Sequence, residues 1–263
     1  MESISVIIIN YNNEPYAGTC LEALFKNQGI REVIVVDDHS TDNSLDIIRK
    51  FSVKVIVNAS NLGPVKSRNI GAATASKANK YFLFLDGDAK LDANYVETLV
   101  DFLEAEPKIG VVSGKVISEK GERMWYNFGY APSLLRSPIS NLLNAAYLSS
   151  GSPAIKNFIA SIATPFNLNF VKDKKMEVDW VVEMAFMTRA ELFGEAHGLD
   201  ENFFMFFEGP DYCRRLRKLG YATYYLPEVS VHHLGGHAHS EQDRKRLFNE
   251  SFWRYIKKHP KLI

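Results

Sequence analysis

Short apolar runs alternate with amphipathic stretches through the first half of the chain. Ser3–Ile9 reads as a strand, the polar Asn10-Tyr11-Asn12-Asn13 as a turn, and Glu14–Lys26 as a helix with Leu21, Leu24 and Phe25 on its apolar side. Glu32–Val36 is a second strand that ends at Asp37-Asp38, and Ser44–Phe51 carries helical spacing after the capping residues Ser40-Thr41-Asp42. Val53–Val57, Tyr81–Leu85 and Ile109–Val116 read as further strands. Helices are predicted from Asn61-Leu62-Gly63-Pro64 to Ala78 and over Leu91–Glu104. Repeated strand–helix units predict an α/β fold: a doubly wound, mostly parallel sheet with helices on both faces. In the second half Glu177–Thr188 and Tyr221–Leu226 read as strands. Glu208–Leu219 reads as a helix closed by Gly220, and Ser240–His259 as a terminal amphipathic helix.

Tyr81–Leu85 is apolar throughout, as in a strand buried on both faces, and it runs straight into Asp86-Gly87-Asp88. Two carboxylates so close repel unless a cation or proton lies between them. Oxygen ligands of this kind suit Mg²⁺ or Mn²⁺, and Gly87 lets a ligand approach the backbone. Ligands of open α/β sheets sit outside the carboxyl ends of the strands. That rule lines one crevice with Asn10-Tyr11-Asn12, Asp37-Asp38 and Asp86-Gly87-Asp88. Arg68, just inside the helix opened by Gly63-Pro64, is expected to act as a structural clamp or a phosphate contact.

Composition narrows the classes. Basic and acidic residues balance at 31 each, so bulk charge gives no reason to expect a nucleic-acid partner. No apolar run is long enough to span a membrane, and the N-terminus enters a core strand with no secretory pattern, so a cytoplasmic protein is expected. Cys20 and Cys213 each fall in a predicted helix and read as small buried apolar groups. No G-x-G-x-x-G follows the first strand and no Walker A sequence occurs, so phosphate handling falls to a metal and basic side chains.

The segments Ser5-Val6-Ile7-Ile8-Ile9-Asn10-Tyr11-Asn12, Val36-Asp37-Asp38-His39-Ser40-Thr41-Asp42, Asn61-Leu62-Gly63, Arg68-Asn69-Ile70-Gly71 and Asp86-Gly87-Asp88 resemble family 2 glycosyltransferases of the GT-A fold. Val178-Asp179-Trp180, Gly198 to Phe204, Glu208 to Arg215 and Val231-His232-His233-Leu234-Gly235-Gly236 resemble the rhamnosyltransferase-like branch. The resemblance implies one domain over residues 1–263. Its nucleotide-sugar half is 1–118, its acceptor-side half 119–239, and its terminal helix 240–263. It also implies an inverting, metal-dependent transfer from a nucleotide-diphospho-sugar to a hydroxyl of a saccharide or lipid-linked saccharide.

Asn10, Asn12, Asp37, Asp38, Arg68, Asp86 and Gly87 would bind the donor. One of Asp37 and Asp38 would meet the pyrimidine base, and the other would cap with Ser40. Asp88 would hold the metal, with Asp86 on the ribose or a metal-bound water. His233 would complete the shell, with His232 as the alternative. Trp180 and Glu183 would face the acceptor, beside the variable stretch Glu119–Lys175. Relatives carry small residues where Glu183-Met184 stand, and an aspartate where this chain has Gly209. The base then falls to Glu208, which lies before the helix and follows the apolar Phe203–Phe207 run, with Asp211, in the first turn of the helix, as runner-up in a structural or acceptor-binding role.

Two other classes compete. A nucleotidyltransferase would show a Gly-rich basic loop after the first strand, and none is present. A non-catalytic or weakly active sugar-nucleotide-binding protein would share the fold and the altered motif. The terminal helix carries Leu247, Phe248, Phe252 and Ile256 on one stripe, with Arg and Lys around it. It is expected to dock on the domain, with peripheral contact to anionic lipid as the second reading.

Overall fold

The chain enters the sheet at once, because Ile4–Asn10 (β1) is apolar at nearly every position and buried on both faces. The computed structural model describes residues 3–124, 127–134, 136–163, 174–235 and 240–260. Parts of the expected acceptor stretch, and Gly236 of the histidine motif, lie outside them. In chain order the elements are α1 (Ala17–Leu24), β2 (Ile30–Asp37), α2 (Ser44–Ile48), β3 (Lys54–Val57), α3 (Pro64–Thr74), β4 (Tyr81–Asp86), β5 (Ala89–Leu91), α4 (Tyr95–Ala105) and β6 (Ile109–Ile117). Then come β7 (Phe128–Gly129), α5 (Arg136–Ser149), α6 (Pro153–Ala163), β8 (Met176–Val178), β9 (Trp180–Val181), β10 (Ala185–Arg189), α7 (Ala190–Glu195), α8 (Glu208–Lys218), β11 (Ala222–His233) and α9 (Glu241–Lys258).

The sheet runs β3-β2-β1-β4-β10-β6-β11-β5, with β8 on the side of β11, and β7 and β9 form a separate two-stranded sheet. The β1–β2, β1–β4, β2–β3 and β6–β11 pairings are parallel, whereas β10 is antiparallel to both β4 and β6. This is a mixed, mostly parallel α/β sheet flanked by helices. One core cluster packs α1, α2 and α4 on one face; the other packs α7, α8 and the end of α9 on the opposite face. Among the described residues no helix is long and apolar enough to cross a membrane.

Three elements differ from the sequence expectation. Glu177–Thr188 is not one strand: it breaks into β8, β9 and β10, because Asp179 and residues 182–184 leave the ladder. The backbone N–H groups of Asp179 and Val182 instead donate to Gly129 and Asn127 carbonyls. The strand expected to stop at Leu226 continues to His233. Its register shifts between Leu226 and Ser230, an irregularity that accommodates Pro227, which has no N–H to give a ladder. Residues Ala89–Leu91, expected to lead into a helix, form β5 against the far end of β11. The α5–α6 hairpin carries Leu142, Ile155, Phe158 and Ile162 on its exposed surface.

Candidate active site

The β5–β11 register pairs His233 with Ala89 and His232 with Lys90, which sets the side chain of His233 beside that of Asp88. His233 Nε2 lies 3.3 Å from Asp88 Oδ2, and the Leu234 N–H donates to the Asp88 carbonyl at 2.9 Å. Neighbouring strand residues point to opposite faces. His232 accordingly turns away, with Nε2 3.4 Å from Asp92 Oδ1. The hydrogen bond to Asp88 raises the His233 pKa from its ordinary value, against the effect of burial. One carboxylate and one imidazole converge here, a donor set that suits Mg²⁺ or Mn²⁺ with phosphate and water completing the shell. Among the described residues no group of three acidic, histidine or cysteine side chains forms a complete metal cage.

Asp86 is engaged elsewhere. Its Oδ1 accepts from Arg68 Nη2 at 2.7 Å, and Arg68 Nη1 donates to Glu208 Oε1 at 3.1 Å. Nη2 also reaches the Glu183 carbonyl at 3.2 Å. Arg68 is thus a buried clamp that joins α3, the end of β4, the 182–184 turn and the start of α8. It is one cation among three carboxyl groups, and the balance leaves those groups hard to ionise. Burial, opposed by Arg68 and reinforced by Asp88, pushes Asp86 up to about 6. Burial, then the charge of Glu208, pushes Glu183 up to about 8. Glu208 is raised by burial too, with Arg68 pulling the other way. It is 2% exposed. Its Oε2 has no hydrogen-bond partner among the described residues. The turn that delivers it is strained: Phe206 and Phe207 both lie in the left-handed region, at φ 70° and 65°. Such conformations cost about 1–2 kcal/mol each and persist only under tight packing.

The first two strand ends are cross-linked. Asp37 accepts from Asn10 Nδ2 at 2.7 Å, from Ser40 Oγ at 2.6 Å and from the Ser40 N–H at 3.0 Å. Asp38 accepts from Asn58 Nδ2, Leu62 N–H and Gly63 N–H, each at 2.8 Å. An ionised carboxylate offers about four acceptor positions, so each aspartate has committed most of its capacity to the protein. Asn12 exchanges bonds with the same loop, its N–H to Ser40 Oγ and its Oδ1 from the Thr41 N–H. Gly87 is pressed against the β1 end, where a Cβ would sit 2.9 Å from Asn13 Nδ2 and 3.0 Å from the Ile9 carbonyl oxygen.

Asp211 belongs to a different cluster from Glu208. Fully buried, it bonds Arg215 Nε at 2.8 Å, Lys258 Nζ at 2.7 Å and His259 Nε2 at 2.9 Å, and so anchors the end of α9 to α8. That makes it a docking residue, in keeping with the structural role expected for it, in a cluster separate from Arg68. The apolar stripe of α9 is likewise in use. Leu247, Tyr255 and Ile256 are buried, and Phe248 and Phe252 pack on Phe207. Trp180 is half-buried in the β7–β9 sheet, with Nε1 donating to the Tyr130 carbonyl at 2.8 Å.

The profile of Glycosyl transferase family 2 matches residues 5–160, which include α3 with its arginine and the Asp86-Gly87-Asp88 strand end. The chain belongs to this family. Over a longer span it is similar to the N-acetylglucosaminyl-diphospho-decaprenol L-rhamnosyltransferase of Mycobacterium tuberculosis (strain ATCC 25618 / H37Rv). Identity is 22% over 247 residues, 89% of this chain and 77% of the relative. Poly(ribitol-phosphate) beta-N-acetylglucosaminyltransferase TarS of Staphylococcus aureus (strain Mu50 / ATCC 700699) is 33% identical over 112 residues, 40% of this chain. That match spans only 19% of TarS.

Among solved structures, GalNAc-T7 with UDP, GalNAc and Mn²⁺ superposes with TM-score 0.67 at 17% identity, over 98% of this chain and 48% of that one. TarS residues 1–349 in complex with UDP gives 0.58 at 18% identity, over 97% and 72%. The mixed sheet is therefore the GT-A fold of family 2. What reading the sequence missed in this site is the meeting of Glu183 with Gly209. The signal was present as two departures from the family pattern, but nothing local in the sequence joins them.

Proposed function

We propose that the chain is an inverting, metal-dependent glycosyltransferase that takes a sugar from a nucleotide-diphospho-sugar. The observation that carries this is the Asp88–His233 pair at the strand ends, two residues beyond the Arg68-clamped Asp86. Asp88 and His233 would hold Mg²⁺ or Mn²⁺, which neutralises charge developing on a departing diphosphate. Asp37 and Asp38 fix the floor on which a nucleoside would lie, and Gly87 lets the end of β4 close against the β1 end beside that floor. Arg68 orients Asp86 and Glu208. A carboxylate beside it accepts the proton of the attacking hydroxyl, so that one displacement inverts the anomeric centre.

The test is a thermal-shift panel of nucleotide-sugars with and without Mn²⁺, because a ligand that binds only the folded state must raise the melting temperature. At a ligand concentration of 100 Kd the gain is about 2.7 kcal/mol. The expected outcome is a shift with one nucleotide class, in Mn²⁺ only. No shift with any nucleotide would defeat the transferase reading.

For the acceptor we favour a lipid-linked saccharide, the kind of substrate that the mycobacterial relative's name specifies. Support comes from the α5–α6 hairpin rather than from α9. From Met124 to Val171 the sequence has no acidic residue and only Arg136 and Lys156 as charges. The hairpin's outer surface exposes Leu142 at 72% and Phe158 at 64%. Apolar residues with scattered positive charge suit an anionic bilayer surface. Vesicles containing anionic phospholipid should sediment the protein at low salt, and Leu142→Ser with Phe158→Ser should release it. Undiminished sedimentation of that double variant would remove the hairpin from the contact.

A further inference from the structure

Gly209 is the second residue of α8, and its φ lies outside the left-handed region, so its backbone would accept any side chain. What excludes one is Glu183. A Cβ at position 209 would fall 2.2 Å from Glu183 Oε1, 2.6 Å from its Cδ and 2.8 Å from its Cγ. The Glu183 carboxyl therefore fills the volume that a side chain at 209 would occupy, and the Gly209 N–H donates to Oε1 at 2.8 Å. Glu183 reaches this place from the 182–184 turn. The turn is pinned to the β4 end by Met184, whose carbonyl accepts from the Asp86 N–H at 2.9 Å, and by the Arg68 bond to the Glu183 carbonyl.

The three carboxyl groups around Arg68 are not equivalent. Asp86 is ion-paired at 2.7 Å. Glu208 is ion-paired at 3.1 Å and sealed from solvent, so a hydroxyl could reach it only if the packing opened. Glu183 is half-buried, and among the described residues its carboxyl makes no ion pair. Its carboxyl is held by the Gly209 N–H at the start of α8.

We propose that Glu183 is the general base of the transfer, that Glu208 positions Arg68, and that residue 209 is glycine to admit the Glu183 carboxyl. The proposal rests on the transferase reading above. In the step, the acceptor hydroxyl oxygen bonds to the anomeric carbon as that carbon's bond to the phosphate oxygen breaks. The electron pair of the broken bond leaves with the nucleoside diphosphate, and the hydroxyl proton passes to the Glu183 carboxylate. A group whose proton affinity lies near working pH suits that task.

The experiment uses the full chain, Mn²⁺ and the nucleotide-sugar that gives the largest thermal shift, and reads release of nucleoside diphosphate to water or acceptor. Glu183→Gln should lower the rate about 10²–10⁴-fold, the usual contribution of a positioned base. Its thermal shift with Mn²⁺ and nucleoside diphosphate should stay at the wild-type value. Gly209→Asp alone should lose activity by collision with Glu183. Gly209→Asp combined with Glu183→Ala, which returns a carboxylate to the same volume, should recover at least ten-fold over Glu183→Ala. A wild-type rate in Glu183→Gln, or no recovery in the folded double variant, would overturn the proposal. The failure of the transferase reading is separate: it is read on the wild-type protein, as a nucleotide shift that does not occur.

Discussion

Asp88→Asn should abolish the metal dependence of nucleotide binding, and with it about 10²–10³-fold or more of any transfer rate, since metal stabilisation of transition-state charge supplies several kcal/mol. The reason lies in how few groups converge. Asp88 provides the carboxylate paired with His233, whereas Asp86 is drawn toward Arg68. An amide in place of that carboxylate keeps the shape and the neutral oxygen but loses the charge that holds a hard cation. The fold should be spared. Asp88 sits at the strand end with its carbonyl bonded to the Leu234 N–H, a bond the substitution does not touch. Calorimetric titration with UDP would check this: wild type should bind in Mn²⁺ and lose most affinity in EDTA, whereas the variant should bind weakly and equally in both. Equal wild-type affinity in both buffers would refute the metal assignment.

Arg68→Met should cost about 3–5 kcal/mol of folding stability, the penalty for removing one partner of a buried ion pair. Arg68 is 2% exposed, and its guanidinium bonds Asp86, Glu208 and the Glu183 carbonyl from one rigid plane. Lysine should not rescue it, because a single ammonium on a flexible stem cannot span two carboxylates and a carbonyl in that geometry.

The loss should also depend on pH with a definite sign. Without the cation, burial raises the folded-state pKa values of Asp86 and Glu208 further above their unfolded values. The folded protein then binds more protons than the unfolded chain above about pH 4, so stability falls as pH rises. Wild type should show a weaker trend of the same sign, because Glu183 is already pushed up to about 8. In urea titrations the gap between variant and wild type should widen from pH 5 to pH 8. Coincident midpoints at pH 8 would show that Arg68 is not what holds the carboxylates.

The alternating strands and helices of the first 118 residues were legible because each apolar run has a clear period and a polar stop. Tyr81–Leu85 is apolar at every position, and Asp86 ends it. The second half was less legible wherever the chain departs from regular pairing. Glu177–Thr188 carries enough apolar residues for one strand, yet its N–H groups at Asp179 and Val182 find partners outside the main sheet and break it in three. The strand read as ending at Leu226 runs on, because Pro227 is absorbed in an irregularity of β11, which then extends to carry His233 to Asp88.

The site was legible in its residue types and less so in their roles. The expectation for Asp211 weighed only the helix start. Lys258 and His259, which surround it, arrive from the far end of the chain through a docked helix. The pairing of Glu183 with Gly209 depends on a turn closing against a helix start across 26 residues of sequence separation, a relation that neither period nor motif encodes.

The docking of α9 has a consequence for the crevice. Phe206 and Phe207 hold left-handed backbone only because something outside the turn encloses them, and much of that enclosure is the rings of Phe248, Phe252 and Tyr255. Ser251 Oγ adds a bond to the Met205 carbonyl at 2.8 Å. When the tail peels away, the turn loses its reason to stay bent, and Glu208 loses its aim at Arg68. Tail and crevice thus open as one cooperative unit, so the weakest helix-to-body contact sets an upper limit on how long the charged cluster stays assembled.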